Sequence, residues 1–253
     1  MKPHYAYSFF MLAALVVFVV ARHFNPKPSG LVALPFGKRL LLALSAFVGG
    51  AFGAKLPFVG GDWLEFSAWF NDGKTIVAGL IGAYVAVELM KLALGVRVKT
   101  GDTFALPLAL AMAVGRWGCF FNGCCYGSPT PLPWGVPFAV DGQSVVCHPT
   151  QIYESVFHVA MAGVLLLLMR TGLLRNHLLQ LYLICYGAYR FLTEFIRPEP
   201  GWVLGLTFYQ CAAVFLVLGL TVQWIVDDWV AGRIAHKAGA PAMGRPVAGA
   251  PGL

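Results

Sequence analysis

Between Gly115 and Glu154 the chain reads GRWGCFFNGCCYGSPTPLPWGVPFAVDGQSVVCHPTQIYE, and the rest of the protein is read outward from here. The stretch leaves an apolar segment through Arg116 and crosses a loop rich in Gly, Pro and Trp. It re-enters an apolar segment through His148, Pro149, Gln151, Tyr153 and Glu154. Ionisable and amide side chains are costly at membrane depth, so such residues face a cavity or one another and mark function. A second run of this kind, YRFLTEFIRP, covers Tyr189 to Pro198.

The surrounding chain is apolar enough to make lipid its solvent. It is 58% hydrophobic and 11% charged, where a soluble domain carries about 25% charged residues. Windows of about 20 residues give spanning segments near Tyr5–Val20, Leu40–Val59, Thr75–Gly95, Thr103–Phe121, Pro149–Met169, Leu178–Ile196 and Leu204–Val226. The expected fold is an all-α polytopic integral membrane protein of about seven transmembrane helices. Residues 1–226 form one membrane domain, and the Ala/Gly/Pro-rich residues 227–253 form a disordered cytoplasmic tail. The basic residues that follow the first segment, and the lack of a small-residue cleavage site, predict a retained first helix. Gly49, Gly50 and Gly53 suit close helix packing in lipid. Trp63, Phe66 and Trp69 suggest an interfacial helix. Asp102 is placed to cap the fourth span, and Glu88 and Lys91 to pair near the inner end of the third.

The formal net charge is +7, but its placement excludes a nucleic-acid partner, because the basic residues sit in short loops between apolar segments. With the N-terminus outside and the C-terminus in the cytoplasm, the inner side holds Arg22, Lys27, Lys38, Arg39, Lys91, Arg97, Lys99, Arg170, Arg175, Arg233, Lys237 and Arg245. The outer side holds Lys2, Lys55, Lys74, Arg116, Arg190 and Arg197. The inward bias fits the topology rule. Arg116, Arg190 and Arg197 stand against it, and all three fall in the polar runs.

Arg190, Glu194 and Arg197 recur at helical spacing on one face. Two guanidinium forks against one carboxylate leave a surplus cation, and Arg116 adds another. Such forks bind phosphate in two-pronged fashion, and a phospholipid phosphate lies at this depth. His148 suits general acid or base work, or simply caps a helix within a buried network that includes Gln151 and Glu154. Cys119, Cys124, Cys125 and Cys147 collect in or beside the outer loop. Their spacing matches no paired CxxC zinc pattern, so a disulfide, with Cys147 as one partner, ranks before packing, and packing before a metal. No metal or cofactor is expected. Cys185 and Cys211 read as core. No Walker loop, GxSxG elbow or HExxH motif is present.

At these residues the chain resembles the prolipoprotein diacylglyceryl transferase family over nearly its whole length. GLIG at Gly79 to Gly82 is similar to the end of HGGLIG, and DTFALP at Asp102 to Pro107 resembles D-x-x-A-P. Gly115 to Gly127 resembles G-R-x-G-N-F-x-N-G-E-x-x-G. HPTQIYE and YRFLTEFIRP resemble HPSQ-x-YE and F-R-x-x-x-EF-x-R-x-P. The resemblance implies a multi-pass enzyme of the bacterial inner membrane. It would move diacylglyceryl from phosphatidylglycerol to the lipobox cysteine of a prolipoprotein and release glycerol phosphate. It implies phosphate holding by Arg116 and Arg190, orientation of Arg190 by Glu194, and catalytic places for His148 and Glu154. Tyr5, Asn122, Gly127, Gln151, Tyr153 and Arg197 would line the substrate site. Val77 stands where the motif has histidine, and Cys119, Cys124 and Cys147 stand where it has Asn, Glu and Arg. Either His148, Glu154 or Lys74 replaces the lost base, or the chain is a relative with another acceptor or without catalysis.

Overall fold

The computed structural model describes residues 3–25, 34–59, 75–199 and 201–237. The expected interfacial helix at Trp63, Phe66 and Trp69 lies outside the described residues, as do Lys27, Lys74 and residues 238–253. Among the described residues the chain forms α1 (Pro3–Phe24), α2 (Phe36–Val59), α3 (Ile76–Ala93), α4 (Asp102–Phe121), α5 (Thr150–Thr171), α6 (Leu178–Thr193) and α7 (Phe208–Lys237). Strands β1 (Val136–Val140) and β2 (Gln143–Cys147) separate α4 from α5, and β3 (Gly201–Val203) and β4 (Leu206–Thr207) precede α7. The protein is therefore mostly helical, as expected, with two small hairpins that the apolar pattern does not reveal.

Six of these helices are long and apolar enough to cross a membrane. The exception is α6, which ends at Thr193 after 16 residues and tightens into a 3-10 turn over Glu194–Ile196, where the sequence suggested a span through Ile196. At 1.5 Å per residue it rises about 24 Å, short of a hydrocarbon core of roughly 30 Å. Its side chains need not match the lipid, because Tyr182, Leu183, Tyr186 and Arg190 are all buried against neighbouring helices. By contrast α7 runs to Lys237, past the expected end at Val226, so the first part of the supposed tail is helical. The good helix formers in AGRIAHK carry it on.

Helices α2 and α3 pack as one pair, α1 lies along α4, α4 along α5, and α6 along α7. The buried core joins Val77, Ala105, Ala109, Ala162, Leu165, Leu183, Tyr186 and Leu216. Outside it, Phe9, Leu12, Val16, Phe47, Val159, Leu167, Phe215 and Leu218 are exposed, an apolar surface suited to lipid. The expected small-residue packing is present between α2 and α3. A Cβ on Gly82 would stand 2.2 Å from the Gly49 carbonyl oxygen, and one on Gly53 would stand 2.5 Å from the Ala78 carbonyl oxygen. Gly82→Leu should therefore lower the melting temperature in detergent, because the backbones must part; overpacking costs about 1–3 kcal/mol or more. Gly37→Ala, which meets nothing within 4 Å, is the control. Equal melting of the two variants would contradict this packing.

At one end of the bundle Asp102 departs from its expected role. Gly101 holds the N-cap position of α4, while the Asp102 carboxylate accepts from the backbone N–H groups of Asn176, at 2.5 Å, and Leu178, at 2.9 Å. It caps α6, not its own helix, and so ties the two together. The Glu88–Lys91 pair forms as expected, at 2.9 Å.

At the other end β1 and β2 pair from Val136↔Cys147 to Val140↔Gln143. Asp141 and Gly142 carry φ 49 and 79, the two-residue hairpin turn that Asp-Gly favours. The Ser128 N–H donates to the Ile196 carbonyl at 2.8 Å, and the Gly127 N–H to the His148 carbonyl at 2.8 Å. The two polar runs are thus stitched backbone to backbone. A Cβ on Gly127 would lie 2.7 Å from the Ile196 oxygen and 2.8 Å from the His148 Cβ, so this crossing admits only glycine.

Candidate active site

Three helices deliver the charged centre. Arg116 sits in the last turns of α4, Glu154 in the second turn of α5, and Arg190 in the last turn of α6. Exposure is 6% for Arg116, 2% for Glu154, 5% for Arg190 and 2% for Glu194. Charges so deep persist only in pairs. Arg116 Nη2 donates to Glu154 Oε1 across a very short contact, and the same oxygen accepts from Tyr186 Oη at 2.7 Å. His158, fully buried, lies with Nε2 3.7 Å from that oxygen and holds Tyr182 Oη at 2.9 Å through Nδ1.

The second pair is built one step further along. Arg190 Nη2 donates to Glu194 Oε2 at 2.8 Å, as the spacing of four residues predicts. Glu194 sits in the 3-10 turn and not on a continued α-helix. Its other oxygen accepts from Thr207 Oγ1 at 3.2 Å. Thr207 is in turn locked by Gln210: the Thr207 N–H donates to Gln210 Oε1 at 2.9 Å, and the Gln210 N–H donates to Thr207 Oγ1 at 3.2 Å. This reciprocal arrangement is a capping box that starts α7. One threonine both opens that helix and holds the carboxylate that orients Arg190. Arg190 also lies 5.9 Å from the centroid of the Tyr209 ring.

The two pairs feel each other, since Glu154 is within electrostatic reach of Arg190 as well as Arg116. Around this centre the buried donors Arg116 Nε, Tyr189 Oη and Arg197 Nε have no hydrogen-bond partner among the described residues, as have the acceptor Gln151 Oε1 and the ring nitrogen His158 Nε2; Arg22 Nη1 and Asn25 Oδ1 are left likewise on other parts of the bundle. Arg197 itself is half-buried in extended backbone beyond the turn. Glu199, also half-buried, is near enough to Glu194 to repel it. Buried donors without partners are uncommon in proteins. A polyoxyanion supplies several acceptors at once.

The remaining candidates divide between this centre and its cap. Gln151 is 1% exposed and donates through Nε2 to the Cys124 carbonyl at 2.6 Å. Thr150 Oγ1 donates to the Cys125 carbonyl at 2.5 Å, so the start of α5 clamps the Cys-Cys turn. Asn122 is the half-buried C-cap residue of α4. Tyr153 accepts from Trp134 Nε1 at 2.8 Å and meets His148 Nδ1 at 3.3 Å. His148 therefore belongs to a Trp-Tyr-His cap, while Glu154 is committed to Arg116 and Tyr186. Tyr5 is 66% exposed; Tyr7, two residues on, lies within electrostatic reach of Arg116, Cys119, Cys124 and Cys125. The N-terminal tyrosine nearest the site is Tyr7.

All six cysteines are free thiols, so the bridge expected to Cys147 is not formed. Cys147 is buried at the end of β2, where burial raises its thiol above the ordinary range. Cys119, Cys124 and Cys125 do come together, with their sulfurs within 4.8 Å of one another. The Cys125 thiol is held below the ordinary range, by hydrogen bonds from Cys119 first and Cys124 second, with Arg116 and Arg197 adding to the effect.

The sequence analysis does not single out Tyr186, Tyr189 or His158 for this centre, although Tyr186 bonds Glu154 and His158 lies 3.7 Å from the same oxygen. Tyr182, Tyr186 and Tyr189 recur at helical spacing on α6, a pattern that equally suits core packing.

Helices of this length and polarity around two buried Arg–carboxylate pairs define a multi-pass membrane protein with a buried charged centre. Residues 3–226 match the family model described as prolipoprotein diacylglyceryl transferase. The phosphatidylglycerol--prolipoprotein diacylglyceryl transferase of Clostridium tetani is 35% identical over 195 residues, covering 72% of this chain and 78% of the relative. That of Clostridioides difficile is 32% identical over 188 residues, covering 71% and 74%. That of Symbiobacterium thermophilum is 34% identical over 155 residues, covering 58% and 57%. The chain belongs to the prolipoprotein diacylglyceryl transferase family.

Proposed function

We propose that this chain is a transferase of the bacterial inner membrane that takes phosphatidylglycerol as donor and a prolipoprotein lipobox cysteine as acceptor. The observation that carries the reading is the set of unpartnered buried donors at Arg116, Tyr189 and Arg197. Glu154 Oε1 already accepts from Arg116 and Tyr186, and both Glu194 oxygens accept from Arg190 and Thr207. In the proposed reaction the acceptor thiolate attacks the glyceryl carbon that bears the phosphate ester. The carbon–sulfur bond forms, the carbon–oxygen bond breaks, and glycerol phosphate leaves with the electron pair. Charge grows on the departing phosphate, where fixed guanidinium and phenol donors stabilise it more than they stabilise the diester. The arginine end of the bundle faces outward in this reading and the C-terminus faces the cytoplasm. The end that gathers Arg22, Lys38, Lys91, Lys99, Arg170 and Arg175 then faces inward.

A second reading is a phospholipid-binding relative with a different acceptor or no reaction. Val77, at the motif histidine position, is 1% exposed within the apolar core and supplies no base. Purified protein in phosphatidylglycerol liposomes with a lipobox peptide separates the two. The expected result is thioether-linked peptide and glycerol phosphate in equal amounts. Neither product should form with a Cys→Ala peptide, or when phosphatidylcholine is the only lipid. Lipid binding without either product would select the second reading.

A further inference from the structure

One cluster lies beside the charged centre and is not used by it. Cys119 follows Arg116 by one turn of α4, and Cys124 and Cys125 occupy the tight turn after that helix. The Cys124 and Cys125 sulfurs are 3.8 Å apart, and all three lie within 4.8 Å. Tetrahedral zinc with Zn–S near 2.3 Å needs sulfurs about 3.8 Å apart, so small rotamer changes suffice. Adjacent residues of an extended chain point their side chains apart. Here Cys125 takes φ 63 and Gly123 takes φ 68, a left-handed conformation rare for a residue with a Cβ. Such conformations persist only where the surroundings enforce them. The enforcement is visible: Gln151 holds the Cys124 carbonyl, Thr150 holds the Cys125 carbonyl, and the Cys124 N–H donates to the Cys119 carbonyl at 3.1 Å. The Cys124 thiol itself reaches the Cys119 carbonyl oxygen at 3.6 Å. Exposure rises from half-buried Cys119 and Cys124 to exposed Cys125, which leaves a path for an ion from solvent.

We propose that Cys119, Cys124 and Cys125 form a three-thiolate site for a thiophilic d10 cation, Zn²⁺, whose fourth position takes the acceptor thiol. The second half of this rests on the transferase reading. Zinc sites with three protein ligands keep a position open for a reacting group, and the thiolate is the nucleophile. Glu154 is engaged with Arg116 and Tyr186, and His148 with Tyr153. A thiol that binds the cation gives its proton to water. Its sulfur then attacks the glyceryl carbon, and the electron pair of the broken carbon–oxygen bond leaves on the phosphate. No oxidant or reductant is needed.

The test begins with Zn²⁺ titration of the reduced, detergent-solubilised full chain against a chromophoric chelator, and with Co²⁺ for its thiolate charge-transfer band. One equivalent is expected. Cys125→Ser and Cys124→Ser should each weaken binding at least tenfold, and Cys147→Ser should leave it unchanged. Circular dichroism confirms that each variant folds, and Zn²⁺ should raise the melting temperature of the wild type but not of Cys125→Ser. Absence of binding in folded wild type overturns the site, as does retention of binding in Cys125→Ser. A Cys124–Cys125 bridge that persists under thiol reductant also overturns it. The liposome assay is then run on zinc-loaded and zinc-stripped protein. Transfer lost on stripping and restored by Zn²⁺ supports the thiol-holding role. Undiminished transfer without zinc overturns that role and leaves the transferase reading standing. Zinc bound with no transfer at all overturns the transferase reading and leaves the metal site standing.

Discussion

Arg190→Ala is expected to lower the transfer rate about 10²–10³-fold at saturating phosphatidylglycerol, the usual effect of deleting one fixed donor to developing charge. Arg190 is 5% exposed and is aimed by Glu194, which Thr207 and Gln210 hold in turn. The guanidinium presents several N–H groups, of which Glu194 takes one at Nη2, so others remain for a phosphate oxygen. Lysine keeps the charge but not the planar fork. Arg190→Lys should therefore recover less than a tenth of the lost rate. Rates are normalised to folded protein, because loss of Arg190 leaves Glu194 buried with Thr207 alone. Near-wild-type transfer by Arg190→Lys would show that charge suffices and that fork geometry does not matter. Unchanged transfer by Arg190→Ala would remove the phosphate role altogether.

Glu154→Ala carries the largest expected cost in stability, about 3–5 kcal/mol, because it strands the Arg116 guanidinium in a dry interior. One oxygen, Oε1, accepts from both Arg116 and Tyr186, and His158 lies 3.7 Å from it. The variant thus orphans donors on two other helices at once. Denaturant unfolding in detergent measures the loss. Replacing both members of the pair, as in Arg116→Leu with Glu154→Leu, should recover much of it, since two apolar groups leave no buried charge unpaired. The double variant should fold and still fail in transfer. A loss below about 0.5 kcal/mol in Glu154→Ala, the range of ordinary surface substitutions, would mean that water reaches the pair and that the centre is not dry.

What was legible beforehand follows from periodicity and cost. Apolar windows locate all seven helices among the described residues, because a bilayer demands length and composition, although α6 is too short to be a span by itself. Arg116, Arg190 and Arg197 mark both polar runs, because a charge in or beside an apolar segment is costly unless it serves a site. Helix ends were less legible. The α6 terminus and the extension of α7 depend on which side chains find partners: Glu194 on Thr207, and Asp102 on the N–H groups of another helix. The β1–β2 hairpin turns on Asp141-Gly142, a local cue that reading the stretch simply as a Gly/Pro/Trp-rich loop passes over.

The sequence by itself determined that this is a multi-pass helical membrane protein with two polar runs carrying Arg116, Glu154, Arg190 and Glu194. It also determined that Arg190 pairs with Glu194, since residues four apart meet on a helix. Only the tertiary structure decided that Arg116 pairs with Glu154, that Tyr186 shares the same oxygen, and that His158 lies beneath while His148 stands apart. It alone decided that Cys147 is separate from the three clustered thiols. Those partners come from different helices, and their meeting depends on how α4, α5 and α6 pack, which no local spacing encodes.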